Sequence, residues 1–508
     1  MANPLYDALL APHAGKRNAF LIAPDGSQTS YAEFLHDVSR MAHALIACGV
    51  KPGARVAVQV EKSQAALALY GACILAGAVF LPLNTAYTSA EVAYFVADAQ
   101  PTLIVCDPAA SETLASCATE HHARLETLDR DAKGSLASLA ARMPDTFAAV
   151  ARASDDMAAI LYTSGTTGRS KGAVLSHGNL LSNALALRDI WRFTPADRLL
   201  HALPIFHVHG LFVATNVMLA AGGSMIFLPR FDAEQVISLL ASATAMMGVP
   251  TFYTRLLASP AFMRERASRI RLFVSGSAPL LPATFADFEA RTGKRILERY
   301  GMTETGMITS NPYEGERRAG AVGLPLPGVS VRVADPETGA VLPAGQTGVI
   351  EVCGPNVFSG YWRRPDLRDS EFRTDGYFIT GDLGLIDEGG YVFIVGRAKD
   401  LVISGGLNVY PKEVETLIDG LEGVVESAVF GVPHPDLGEA VTAAVVAAPD
   451  SKLDAQAIKA ALAGQLAGFK QPKAVFLVAD LPRNTMGKVQ KNILRQTYRD
   501  VFQGAEAK

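Results

Sequence analysis

The sequence predicts an α/β protein: a large N-terminal domain of parallel and mixed sheets flanked by helices, then a small α+β C-terminal domain carried on a hinge. Three observations lead there. Short runs rich in Val, Ile and Leu, each closed by Gly, Ser or Pro, alternate with longer helical patterns, as buried parallel strands do when helices cover a sheet. From about Gly348 the texture shifts to shorter strands with tight Gly and Asp turns: VIEVCG, YFITGDLGLID and YVFIVGRAKDLVI. After Asp400 a compact tail has strands and helices of its own, enough for a separate small domain. The expected division is 1–399 and 400–508.

Taken in order, the first element signals are RVAVQV (Arg55–Val60), PTLIVCD (Pro101–Asp107) and RLFVSGSAP (Arg271–Pro279), each a candidate buried strand. The most apolar stretch, Ala65–Pro82, is interrupted by Tyr70 and glycines and ends on proline. It is short for a membrane span and suits a buried helix followed by a strand. Met157–Leu161 reads as a strand, and Ala173–Leu175 as a second β run after an intervening loop. In the tail, PKEVETLIDGL begins a helix at Pro411, where proline suits the first helical position. VESAVFGVP and VTAAVVA read as strands, Ile458–Leu466 as a helix and KAVFLVAD as a last strand.

The chain has 508 residues, 49% hydrophobic and 19% charged, an ordinary globular balance that supports a large core. Its net charge of −4 provides no basic field for nucleic acid or an anionic membrane, so neither is expected as a partner. No obligate protein partner is indicated. Five scattered cysteines without a C-x-x-C pair argue against a disulfide framework or a zinc site and for a reducing, cytoplasmic setting. The N-terminal residues lack the basic start and apolar core of a signal peptide.

The most informative stretch is YTSGTTGRSKG, Tyr162–Gly172. Glycines at 165, 168 and 172 let the backbone approach a ligand closely, and N–H groups with Thr and Ser hydroxyls make an anion cradle. Arg169 and Lys171 add positive charge, which suits a polyphosphate. The spacing is not that of the P-loop, in which Ser or Thr follows the lysine, so a P-loop NTPase is disfavoured.

This loop resembles the signature of the adenylate-forming superfamily, which contains acyl-CoA synthetases, luciferases and peptide-synthetase adenylation domains. Further blocks of that family follow in order: YGMTETG at Tyr300–Gly306, TGDLG at Thr380–Gly384, GRAKDLVISGGLNVYPKEVE at Gly396–Glu415, and PRNTMGKVQK at Pro482–Lys491. The resemblance spans the whole chain. It implies attack of a carboxylate on the α-phosphorus of ATP, then attack of the CoA thiol on the acyl-adenylate, with Mg²⁺ accompanying the phosphates.

The resemblance assigns roles by position. Thr163, Ser164, Gly165, Thr166, Thr167 and Gly168 would cradle the phosphates with Lys171, and Thr166 and Glu304 would lie on the magnesium. Tyr300 would stack near adenine and Thr303 would contact the α-phosphate. Ser275, Gly276, Ser277, Ala278 and Pro279 would border adenine and the acyl pocket. Asp382 would accept the ribose hydroxyls, with Arg397 beside it. Lys488 would neutralise the carboxylate and α-phosphate, a task suited to a point charge on a flexible stem. Asp400 would be the hinge, and Ser404, Gly405 and Gly406 would line the pantetheine route. His207, in LPIFHVHG, would border the acyl or phosphate site, with His209 as a competing candidate.

The acid is indicated by Arg299. ERYGMTET resembles the malonate-activating version of the block. The physical argument is separate: a dicarboxylate leaves one carboxylate charged, and burying it unpaired costs several kcal/mol, so the pocket needs a cation. Arginine offers a planar fork that matches a carboxylate. A structural pair with Glu298 is the alternative, and Arg230 is a weaker candidate cation. The expected reaction is malonate, ATP and CoA to malonyl-CoA, AMP and pyrophosphate, with methylmalonate as a second substrate. The alternatives are another short-chain or aryl acyl-CoA ligase, or a nucleotide-binding regulator without catalysis.

Overall fold

The computed structural model describes residues 2–163, 170–449, 451–463, 465–484 and 487–502. A six-stranded sheet lies in the first third of the chain. In spatial order it runs Arg124–Thr127, Leu103–Cys106, Arg55–Gln59, Val79–Pro82, Met157–Thr163 and Lys171–Ser176. Its strands pair in parallel up to the last pair, which is antiparallel. The apolar stretch is a helix, Gln64–Ala76, and the strand Val79–Pro82, both buried. Ser63 caps the helix at Ala66 N–H, and Gly77 ends it in the left-handed conformation. Among the described residues, no helix is long and apolar enough to cross a membrane.

A second sheet of 13 strands forms the centre of the molecule. Its middle is parallel: Ser224–Phe227, Arg198–His201, Ala245–Gly248, Leu272–Ser275 and Leu297–Met302 lie side by side. The register aligns their C-terminal ends. His201 faces Met247, Gly248 faces Ser275, and Ser275 faces Glu298. Carboxyl ends of parallel strands are where open α/β sheets place ligands. From Leu297–Met302 onward the pairing turns antiparallel, through Gly306–Ser310, Ala321–Pro325, Val392–Arg397, Phe378–Ile386, Gly348–Cys353 and Ser330–Ala334. The strands beyond Gly348 therefore extend the same sheet, and their shorter texture marks the change from parallel to antiparallel pairing.

The residues from Val402 build a five-stranded sheet of their own. Val402, Val414, Ile418, Val429, Val441 and Ile458 form a separate buried core beneath it. The expected helix at 458–466 is instead Ala455–Leu462, because the Asp454 side chain caps it at Ala457 N–H three residues earlier. The helix Pro411–Asp419 starts on its proline as expected. Asp400, in the turn Ala398–Asp400, pairs with Arg495 of the tail helix Lys491–Thr497 at 2.9 Å.

One buried ion cluster pins the antiparallel flank. Glu351 is fully buried between Arg332 at 2.8 Å and Arg373 at 2.6 Å. Removing it leaves Arg332 with Asp375 alone and takes the buried carboxylate from Arg373, so Glu351→Ala should destabilise the flank by about 3–5 kcal/mol. The check is the denaturant midpoint of the first unfolding transition, which is expected to fall.

Candidate active site

The aligned strand ends gather the acid side of the site. Arg299 and Glu298 are consecutive in one strand, so their side chains leave opposite faces. No ion pair joins them among the described residues, and the structural pair considered from sequence does not form. Arg299 is 3% exposed, and its Nε and Nη2 have no hydrogen-bond partner among the described residues. Burial lowers its pKa to about 9, against the pull of Tyr253 and Glu298. The guanidinium lies on Gly276, where a Cβ would stand 2.4 Å from Cζ. A glycine is therefore required for Arg299 to lie there. Glu298, on the other face, accepts from Leu280 N–H at 3.0 Å, and burial pushes its pKa up to about 7.

His207 and His209 adjoin Arg299. Burial, then the nearby Lys488 and Arg299 cations, push the His207 pKa down to about 3. Burial and Arg299 push His209 well below the ordinary value too. Both rings are thus neutral at physiological pH. His209 Nδ1 meets Ser277 Oγ at 3.3 Å, and its Nε2 has no partner among the described residues. Ser277 is a non-glycine residue at φ 72°, a strained backbone of the kind that collects at functional sites. Ser275, at the strand end, is fully buried with an unpartnered Oγ, while Ala278 and the exposed Pro279 continue the turn.

The nucleotide-side candidates meet on the antiparallel flank. Asp382 and Arg397 are cross-strand partners and pair at 2.9 Å. The Tyr300 hydroxyl donates to the other carboxylate oxygen of Asp382 at 2.5 Å. Burial, then the Asp382 charge, raises the Tyr300 pKa and keeps it a donor. Asp382 retains free lone pairs, since each carboxylate oxygen has two. Thr303 and Glu304 occupy the turn between Leu297–Met302 and Gly306–Ser310. Glu304 is buried, its pKa is raised by that burial, and the Tyr361 hydroxyl donates to it at 2.9 Å.

Thr163 ends its strand opposite Lys171, and its hydroxyl donates to the Lys171 carbonyl at 3.4 Å. Ser164, Gly165, Thr166, Thr167 and Gly168 lie outside the described residues. Lys171 pairs with Glu371 at 2.9 Å and stands 4.8 Å over the Tyr361 ring. Tyr361 and Glu371 carry no signal in the sequence. They reach the site because Tyr361 bridges Ala173 and Trp362 N–H donates to Gly172, across a long sequence separation.

Lys488 arrives from the tail. Its turn is held by Asn484 N–H to the Lys488 carbonyl at 2.9 Å and by Lys488 N–H to Asn484 Oδ1 at 3.0 Å. Gly487 at φ 74° makes that turn and lies against Thr251 of the large domain. Although the residue as a whole is exposed at the cleft, protein packed around its ammonium lowers the pKa to about 8. Arg397 and Arg299 act in the same direction, and Asp382 and Glu304 oppose them. The structure therefore brings Lys488, Arg299, His207, Glu304, Asp382 and Arg397 into one electrostatic neighbourhood. Ser404, Gly405 and Gly406 are not part of it: Ser404 pairs with Gly438, and Gly405 N–H donates to Leu437, all within the tail.

Residues 11–362 match the AMP-binding enzyme family, and residues 413–488 match the AMP-binding enzyme C-terminal domain. The chain belongs to the AMP-binding enzymes. It is an AMP-forming acid–thiol ligase, of the acyl-CoA ligase class that uses ATP and CoA. A feruloyl-CoA synthase of Amycolatopsis sp is 36% identical over 97% of this chain and 98% of that protein. A malonate–CoA ligase of Arabidopsis thaliana is 34% identical over 88% of this chain and 79% of that protein. The crystal structure of ATP-bound MatB from Rhodopseudomonas palustris is 58% identical, covers 99% of this chain and 100% of its own, and superposes with a TM-score of 0.97. The apo form of MatB superposes at 0.86.

The lowered pKa values give a direct test. Nitrogen shifts of His207 and His209 should stay those of neutral imidazole from about pH 8 down to about pH 5, the range in which an ordinary histidine protonates. Assigned ¹⁵N-histidine spectra check this, and protonation of either ring in that range contradicts the burial argument.

Proposed function

We propose that this ligase activates malonate, forming malonyl-CoA, AMP and pyrophosphate through a malonyl-adenylate, and that it takes methylmalonate as well. The observation that carries the reading is the buried guanidinium of Arg299, whose Nε and Nη2 have no hydrogen-bond partner among the described residues. A buried donor left unpaired costs about 1–3 kcal/mol, more when charged, and a carboxylate removes that cost. The charges of Lys488 and Arg299 both bear on His207, so two cations face one neighbourhood. A dicarboxylate has a use for both: one carboxylate is activated at Lys488 while the other rests on Arg299. The names of the relatives alone do not choose, since feruloyl-CoA synthase and malonate–CoA ligase lie at 36% and 34% identity. The charge at Arg299 favours the dianion over an aryl acid.

Each residue then has one task. Tyr300, Asp382 and Arg397 hold the nucleoside, and Thr163 to Gly168 with Lys171 grip the phosphates, Lys171 exchanging Glu371 for them. Lys488 neutralises the attacking carboxylate and the α-phosphate, with Thr303 beside the phosphate. Charge neutralisation and positioning supply most of the catalysis in such transfers. Magnesium, when bound, would offset phosphate charge; Glu304, a buried carboxylate with free lone pairs, fits it, and Thr166, which lies outside the described residues, would join it by the family resemblance. The closer fit to ATP-bound than to apo MatB supports this pose as the adenylating one. Rotation about Asp400 would then turn Ser404, Gly405 and Gly406 toward the cleft for thiol attack, with the CoA proton lost and AMP leaving.

AMP release with ATP, Mg²⁺ and CoA should be fastest for malonate among malonate, methylmalonate, succinate, acetate, butyrate and a cinnamate. Arg299→Ala should lower kcat/KM for malonate by about 10²–10³-fold, the range for orphaning a buried charge partner. ATP affinity should stay within about threefold. Preference for a monocarboxylate, or equal loss of both affinities, overturns the assignment.

The Lys488 pKa near 8 sets a pH dependence. The ammonium is needed charged, and it is charged below that value. Adenylation kcat/KM, which reports the free enzyme, should therefore fall as pH rises through about 8. Lys488→Arg should remove this falling limb, because guanidinium does not deprotonate there. An unchanged limb in that variant assigns it to another group.

A further inference from the structure

Lys62 is a buried lysine without an acid. It follows the strand Arg55–Gln59, is 9% exposed, and has no carboxylate in ion-pair reach among the described residues. Buried cations are ordinarily paired, so its two partners matter. Nζ meets His201 Nδ1 at 2.8 Å and donates to the His201 carbonyl at 2.9 Å. Nζ also stands over the face of the Phe227 ring, 4.3 Å from its centroid. Ring nitrogen, carbonyl and aromatic face thus surround the amine, and burial lowers its pKa well below the ordinary lysine value.

His201 closes the parallel strand Arg198–His201 and is 1% exposed. Its Nε2 stands 2.8 Å from the Gly210 carbonyl. A carbonyl only accepts, so Nε2 carries the proton and Nδ1 is left as a lone pair needing a donor. Lys62 supplies it. Gly210 belongs to the π-helical turn His209–Thr215, a form that is rare and collects at functional sites. Its carbonyl takes a second bond from Thr215 Oγ1 at 3.0 Å, and a Cβ on Gly210 would fall 2.0 Å from the Pro204 carbonyl oxygen. The same turn carries His209, whose N–H donates to His207 Nδ1 at 3.4 Å, while the His207 carbonyl accepts from Leu211 N–H at 3.0 Å. Both rings adjoin Arg299.

We propose that Lys62 is a positioning residue for the acid site: by donating to His201 Nδ1 it sets the tautomer that holds the Gly210 carbonyl, and so the turn that places His207 and His209 beside Arg299. This rests on the reading that Arg299 marks the acid's pocket. The relay runs through hydrogen bonds and moves no proton in the reaction. Its product is geometry, and a displacement of about 1 Å at a site of this kind costs up to about 100-fold in rate.

The test is Lys62→Met, which keeps the apolar stem and removes the donor. KM for malonate should rise about 10-fold or more, while the ATP Kd measured by calorimetry without acid stays within about twofold. In ¹⁵N spectra of the full-length enzyme, His201 should pass from a single Nε2–H tautomer to a mixture. Combined with His201→Phe, Lys62→Met should add little further to malonate KM, since the relay to Gly210 runs through the imidazole that His201→Phe removes. Should Lys62→Met not fold, Thr215→Val removes the second donor to Gly210 and is expected to show the same split, at about threefold. Equal losses for acid and ATP, an unchanged malonate KM, or an unchanged His201 tautomer overturns the proposal. Arg299→Ala run alongside separates the two readings. If it leaves malonate KM unchanged, the pocket assignment fails. If it raises malonate KM and Lys62→Met does not, the relay alone fails.

Discussion

A guanidinium buried without a carboxylate is the constraint around which this molecule is organised. Arg299 has lost most of its water and gained no counter-ion, and only a rigid surround can hold it there. The surround is the row of parallel strand ends, kept in register by the pairings His201–Met247, Gly248–Ser275 and Ser275–Glu298. Gly276 leaves the space for the fork, and two neutral histidines lie beside it. Among the described residues, no hydrogen-bond partner reaches its Nε or Nη2, which is the basis for proposing that an anion belongs there.

The strand Leu297–Met302 joins the two halves of the chemistry. Period-two alternation sends Arg299 to one face and Tyr300 to the other, where its hydroxyl meets Asp382. The strand is also where parallel pairing changes to antiparallel, with a register shift between Tyr300 and Gly301. Such irregularities re-aim side chains next to sites. The residues proposed for acid and for nucleotide therefore sit consecutively, and the turn that follows holds Thr303 and Glu304. The tail completes the set by bringing Lys488 across the cleft on the Asn484–Lys488 turn, against Thr251.

Much of the fold was legible in the sequence. Apolar runs closed by small residues marked the strands at Arg55, Leu103 and Leu272, and proline marked the helix start at Pro411. The tail helix begins at Ala455, three residues before its apolar run suggests, because the Asp454 side chain caps it there. Antiparallel pairing of the strands at Met157 and Lys171 left no local trace, since a buried apolar strand reads the same in either direction. Tyr361 on Glu304, Glu371 on Lys171 and Lys62 on His201 were all silent, because each pairs residues from separate elements.

By itself the sequence determined the alternation of strands and helices, the glycines that permit close backbone approach, and the family blocks that name an AMP-forming ligase. These are properties of single residues and short spacings, and local sterics and chemistry are enough to read them. Only the tertiary structure decided which charges are paired. It showed Glu298 and Arg299 on opposite faces, Asp382 shared by Tyr300 and Arg397, and Lys62 on His201. Pairing depends on distance through space and on loss of water, and neither is written in a stretch of chain until the sheet registers bring distant residues together.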